Sequence, residues 1–293
     1  MQFLIYIIVY PFLWIISVLP FRLLYLISDG LYILLYNIIG YRKKVVTDNL
    51  KLVFPEKSEK EIKSIRIRFY KHLCDMFLEM AKTMTISQKT LDARFKIKNP
   101  EEMKRLESLN KSVILMYGHY ASWEWSLALQ NHVKFDGFAV YKQLANRYFD
   151  KLVRDMRSKF NTTLINTKES ISIIKSNEAN NLKSIIAFLS DQSPRLSKEV
   201  YWGEFMGIEV PCFTGAERLA KKLDLSISYL KVTKLRRGYY EGEILTLAEK
   251  PNEYEDYKIT DLFLHEVEKQ IYDAPEFYFW THKRWKHFGK NKL

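Results

Sequence analysis

Hydrophobic positions along this chain fall into three regimes. In the first, residues Gln2 to Pro20 carry no charge. Nineteen residues at 1.5 Å rise reach roughly 28 Å, against a hydrocarbon core of about 30 Å, so the run predicts one membrane span. Pro11 would kink it, which membrane helices tolerate. No basic segment precedes the run and no A-x-A-like site follows it, so a cleaved signal peptide is not expected. Phe21 to Tyr41 is apolar too, but includes Arg22, Asp29 and Gly30. A carboxylate near the centre of a span costs about 2.5–3.5 kcal/mol. This stretch is therefore expected to lie in the interface or against the rest of the protein. Arg42, Lys43 and Lys44 follow at once, and by the positive-inside rule they mark the cytoplasmic side. The chain divides into an anchor, 1–41, and a cytoplasmic domain, 42–293.

In the second regime the apolar positions recur every three or four residues. Ser58 and Glu61 form a capping box. Behind it Ile62, Ile65, Phe69, Leu73, Met76, Met80 and Met84 make one face of a long amphipathic helix. His72 falls on this helix, where a packing or surface role is expected.

From residue 112 short β-rich runs alternate with helical stretches. The runs are Val113–Tyr117, Phe138–Tyr141, Thr163–Ile165, Ile185–Leu189, Ile227–Val232 and Glu243–Leu247. Helical patterns cover 147–160, 214–223 and 260–272. This alternation predicts an α/β fold with a central, mostly parallel or mixed sheet flanked by helices.

Composition narrows the class. With 47% hydrophobic residues among 293 the chain is not disordered. A net charge of +12 points to an anionic partner: nucleic acid, anionic lipid or an acidic carrier protein. The basic tail from His282 to Lys292, with Trp285 and Phe288, could stack on nucleic acid, but the apolar start favours a contact with anionic lipid. Cys74 and Cys212 have no metal-ligand spacing and are expected to be reduced packing residues.

The segment Val113 to Trp125, V-I-L-M-Y-G-H-Y-A-S-W-E-W, carries the candidate chemistry. A buried strand runs into Gly118 and delivers His119 at its carboxyl end, where open α/β sheets bind ligands. Ser122 is placed to cap a helix with Glu124 in its first turn. A carboxylate bonded to one imidazole nitrogen raises the basicity of the other, so this spacing is consistent with a general base. A packed loop histidine satisfies the same spacing. No G-x-S-x-G elbow occurs, which disfavours a serine hydrolase, and no H-E-x-x-H, which disfavours a zinc protease.

The segment resembles the H-x4-D/E motif of glycerolipid and lysophospholipid acyltransferases. More closely, the chain resembles the lipid A biosynthesis acyltransferase family, on further motifs in order. Arg42 to Glu56 resembles a basic segment ending N-L-x-x-x-F-P-E. Asp191-Gln192 resembles a strand-end D-Q, Thr214 to Ala220 a T-G-x-x-x-L-A helix start, and Pro275 to Lys286 the closing aromatic and basic signature. The resemblance implies transfer of a fatty acyl group from an acyl carrier protein thioester to a hydroxyl of a lipid A precursor, an anionic glycolipid. The setting would be the cytoplasmic face of a bacterial inner membrane, with no cofactor, no metal and no nucleic acid. His119 would deprotonate the hydroxyl and Glu124 would orient and charge-stabilise His119. Lys142, Arg154 and Arg157 would bind substrate, and Asp191 would position Arg157 or the substrate. The alternatives are another glycolipid or phospholipid acceptor, with acyl-CoA as donor, and a non-catalytic lipid-binding membrane protein.

Overall fold

The computed structural model describes residues 1–197 and 199–289; the tail residues Lys290 to Lys292 lie outside them. Two apolar helices come first, α1 (Gln2–Val18) and α2 (Phe21–Tyr32), and α2 continues as a π-helical stretch, Ile33–Ile39. Next are α3 (Lys43–Val53) and α4 (Glu59–Lys82). The predicted capping box on Ser58 and Glu61 is present, and Ile62, Ile65, Phe69, Leu73 and Met76 are buried. Beyond α4 the order is α5 (Gln88–Arg94), β1 (Phe95–Ile97), α6 (Pro100–Ser108), β2 (Val113–Tyr117), a 3-10 helix Glu124–His132, β3 (Asp136–Tyr141), α7 (Arg147–Ser158), β4 (Thr162–Asn166), α8 (Ser170–Ala179) and β5 (Ser184–Leu189). A hairpin, β6 (Tyr201–Phe205) and β7 (Ile208–Cys212), precedes α9 (Gly215–Leu223), β8 (Ser226–Arg236), β9 (Tyr239–Ala248) and α10 (Lys258–Asp273).

The expected α/β fold is observed. Among the described residues seven strands form one sheet in the order β1-β9-β8-β2-β5-β3-β4. The pairings are parallel except between β8 and β9. β2 lies at its centre and every one of its five residues is buried, which is why it reads as an unbroken apolar run. Each strand predicted from residue 113 onward is present. β1 and the β6–β7 hairpin had no clear apolar signal. Cys74 and Cys212 are buried free thiols.

The N-terminal helices lie along the α/β body. At the start of α1, Gln2 Nε2 donates to Ala145 O at 3.0 Å and Asn146 Nδ2 donates to Gln2 O at 3.0 Å. Where α1 ends, Lys82 Nζ donates to Ser17 O at 2.6 Å and Leu19 O at 2.7 Å. A helix whose two ends both bond to one globular body does not carry one end away from it. Both ends of the run expected as a span, Gln2 to Pro20, thus contact the α/β body. By length and composition Phe21–Ile39 is the described helix that could cross a membrane, whereas Gln2–Val18 has 17 residues. α2 is also fastened on one face, through Ser28 Oγ to Asp75 at 2.7 Å and Tyr25 Oη to Glu79 at 2.8 Å. The opposite faces are bare: Leu4, Ile8 and Phe12, at helical spacing, are each 64% exposed and Leu26 is 67% exposed.

Candidate active site

Register places the central residues. β2 and β5 are parallel neighbours with Tyr117 opposite Leu189. Two residues beyond each strand end, His119 and Asp191 are therefore side by side at the carboxyl edge. His119 Nδ1 and Asp191 Oδ1 are 2.6 Å apart, and the His119 backbone N–H donates to Asp191 Oδ2 at 3.0 Å. Gly118 permits this approach: a Cβ there would meet Val267 Cγ1 at 3.3 Å and Asp191 Cγ at 3.7 Å. Asp191 is fully buried. Burial pushes its carboxyl up, but the charge and two hydrogen bonds of His119 outweigh it and hold the group below its ordinary range. Tyr278 gives Asp191 a further side-chain hydrogen bond. The His119 side chain remains 18% exposed, with Trp123 edge-on at 5.2 Å and Phe279 at 6.1 Å.

Glu124 has a different partner from the expected one. Arg157 Nε donates to Glu124 Oε1 at 2.9 Å and Nη2 to Oε2 at 2.7 Å, a bidentate pair with Glu124 buried. Burial works against the Arg157 charge, but the carboxylate more than offsets it and favours the charged form. So the carboxylate on His119 belongs to Asp191, and Asp191 does not position Arg157. The cause is local. After Gly118 the chain turns through Ala121 at φ 50° and enters a 3-10 helix without a side-chain cap, so Ser122 is not its cap. Glu124 is thereby turned toward α7 rather than back to the strand end.

The remaining predicted residues separate. Arg157 lies on the inner face of α7. Arg154 is half exposed and pairs with Asp150 at 3.3 Å. Lys142 is exposed just past β3. His282, which sequence reasoning did not single out, accepts a hydrogen bond at Nε2 from Ser193 N at 3.3 Å and lies in the field of Asp191 and His119. Burial pushes its ring down to about 4. The closing aromatic signature is what holds the His119 turn: Ala121 N donates to Phe277 O at 2.9 Å and Phe279 N to His119 O at 3.0 Å. Among the described residues no group of three or more His, Cys, Asp or Glu is arranged to hold a metal ion.

This arrangement can do base chemistry. An imidazole whose Nδ1 faces a buried carboxylate keeps its other nitrogen for a substrate proton.

Comparison with known proteins agrees along the whole chain. The sequence matches the family described as bacterial lipid A biosynthesis acyltransferase over residues 1–287. It is 23% identical over 279 residues to the lipid A biosynthesis lauroyltransferase of Escherichia coli (strain K12), covering 94% of this chain and 89% of that protein. It is 22% identical to the palmitoleoyltransferase of the same strain and to a lipid A biosynthesis acyltransferase of Shigella flexneri, at 94% and 88% coverage each. The chain belongs to the bacterial lipid A biosynthesis acyltransferase family and is an acyltransferase.

Proposed function

We propose that the chain moves a fatty acyl group from an acyl carrier protein thioester to a hydroxyl of a lipid A precursor, with His119 as general base and Asp191 as the residue that orients it. The observation carrying this reading is the 2.6 Å contact between His119 Nδ1 and Asp191 at the end of the central strand. Nε2 takes the proton of the acceptor hydroxyl as its oxygen attacks the thioester carbonyl. The tetrahedral intermediate then expels the thiolate, which recovers the proton from His119. Asp191, bonded to Nδ1, stabilises the imidazolium while it lasts. Glu124 acts through Arg157: it uses Nε and Nη2 of the guanidinium and leaves Nη1 for a substrate oxygen. Lys142, exposed just past β3, and Arg154, half exposed on α7, meet the acidic carrier or the anionic acceptor.

The floor that meets the far end of the acyl chain lies below, with a cavity of about 40 Å³. Leu115, Ala187 and Ala139 lie opposite one another across β2, β5 and β3, and the 3-10 helix covers them with Leu127 and Leu129. Two alanines in one row leave a small apolar cavity under Tyr117 and Ser126.

The bare faces of α1 and α2 attach the protein to the cytoplasmic leaflet of the inner membrane, lying in the leaflet instead of crossing it. Both ends of α1 are tied to the body that carries His119, which supports that topology.

In vitro transfer, read by mass spectrometry, tests the whole reading. Purified protein is offered acyl carrier protein thioesters or acyl-CoA, and lipid A precursors or other lipid hydroxyls. Acylated lipid A precursor from the carrier thioester is expected, with the product absent from His119→Ala. Full transfer by that variant would sink the mechanism, and preference for acyl-CoA or another acceptor would replace the proposed substrates.

A further inference from the structure

On the far side of the Phe277–Phe279 segment from His119 lies a second cavity, of about 710 Å³. Its walls come from α4, the tip of the β8–β9 hairpin and the α2 region. Five cations line it, Arg68, Lys71, Lys234, Arg236 and Arg237, against the carboxylates Asp29, Asp75 and Glu276. His72, also in the wall, is kept neutral by burial and by Lys234. Five less three leaves a charge of +2.

The pairing of these charges identifies the unspent ones. Arg237 bonds Asp29 and Asp75, each at 2.7 Å. Arg68 bonds Glu276 at 3.0 Å. Lys234, with its side chain 9% exposed, is 3.6 Å from Asp75 and 3.1 Å from His72 Nδ1. All three carboxylates are thus engaged. Lys71 and Arg236 make no ion pair among the described residues; they lie over the rings of Tyr32 and Tyr239, at 5.6 and 3.9 Å. The cavity is fixed in shape, because Gly238 at the hairpin tip, with φ 73°, lies directly beneath Tyr25 of α2, where a Cβ would collide with the hydroxyl. Its lip is apolar: Ile33 is 52% and Leu235 57% exposed.

A cavity with two free cations and one nearly buried cation, and an apolar lip beside the bare face of α2, matches an amphiphile with an anionic head. We propose that it binds the phosphate headgroup of a membrane lipid, the phosphate between Lys71 and Arg236 with Lys234 behind it, and the chains along Ile33 and Leu235. The phosphate belongs either to the acceptor glycolipid or to a bilayer phospholipid. Only the first source rests on the proposed function. In that case the headgroup sits against Phe277, two residues or roughly 7 Å of extended chain from the residue that faces His119.

The test reads binding, so a chain without transferase activity still answers it. Full-length Lys71→Glu/Arg236→Glu is compared with the unaltered protein and with Lys71→Arg/Arg236→Lys, after thermal melts establish that all three are folded; both sites are on the surface. One arm measures flotation with phosphatidylcholine vesicles with and without phosphatidylglycerol. The other measures binding of a lipid A precursor, and of its phosphatase-treated form, in detergent micelles. Each cation near an anionic lipid contributes about fivefold to affinity, so the reversal variant is expected to lose at least roughly tenfold. Loss confined to phosphatidylglycerol vesicles, with the conservative variant near normal, assigns the cavity to phospholipid. Loss confined to the phosphorylated precursor assigns it to the acceptor. Unchanged binding in both arms overturns the proposal, as does equal loss on phosphatidylcholine and on the dephosphorylated lipid.

Discussion

Two histidines, the partly exposed His119 and the buried His72, flank the same short pairing of residues 119–121 with 277–279, and their surroundings are opposite. His119 has its Nδ1 on a carboxylate, Asp191, and its side chain is 18% exposed. His72 has its Nδ1 on an ammonium, Lys234, and is 4% exposed. The first environment sets a carboxylate beside the ring; the second sets an ammonium there, and burial with that charge keeps His72 neutral. The neighbouring carboxylates differ in the same sense. Asp191 lies below its ordinary range because His119 faces it. Glu79, buried between Tyr25 and Tyr240, is pushed up to about 7 by burial. Chemistry in this protein follows from which partner a buried group receives, since residue types alone are the same on both sides.

The largest effect that would break the contrast is on turnover. His119→Ala is expected to lower transfer by about 10²–10⁴-fold, and Asp191→Asn by a large part of that, whereas His72→Gln changes it little. Initial rates on the purified variants decide it; a His72→Gln loss as large as that of His119→Ala would erase the distinction. Next comes stability. Glu124→Ala strands a mostly buried guanidinium and is expected to cost about 3 kcal/mol, measured by denaturant unfolding, because removing one partner of a buried pair leaves the other uncompensated. Glu124→Ala/Arg157→Met should recover most of the stability but not the activity.

The two sides should also respond to pH in opposite directions. Glu79 has a raised folded value, so the folded state holds the extra proton between the ordinary 4.5 and about 7. Its contribution to stability is complete below 4.5 and is lost as pH rises to about 7. His282 has a depressed value, so its contribution is complete above 6.5 and is lost as pH falls to about 4. Thermal melts from pH 4 to 8 should show Glu79→Gln flattening the neutral limb and His282→Asn the acid limb. Flattening of the same limb by both would refute the assignment. The smallest effect is on specificity: Ala187→Leu should shift the product toward shorter acyl chains with total turnover within about threefold, since filling a small cavity excludes only the chain's far carbons.

Much of this was legible in the sequence, and the exceptions share a cause. β2 was readable to the residue because a strand buried on both faces is apolar throughout. The faces of α4 and α10 were readable because helical spacing is local. The partner of His119 was not, because five residues of separation suggest Glu124, while the true neighbour is 72 positions away and is set by strand order. Parallel strands joined by crossovers leave no local trace of which is adjacent to which. The fastening of α1 was hidden for the same reason: Gln2 and Asn146 carry no mutual signal until the chain has folded.

That fastening bears on how a lipid meets the protein. A rod pinned at both ends has no hinge, so the oily flank of Leu4, Ile8 and Phe12 and the strand ends beside it move as one piece. On the leaflet docking proposed above, the flank would work as a depth gauge. It would hold the imidazole at a constant height over the leaflet, and a floating substrate would be measured against that height before any bond is made. Lengthening α1 by a turn would reset the gauge without touching a single reacting atom.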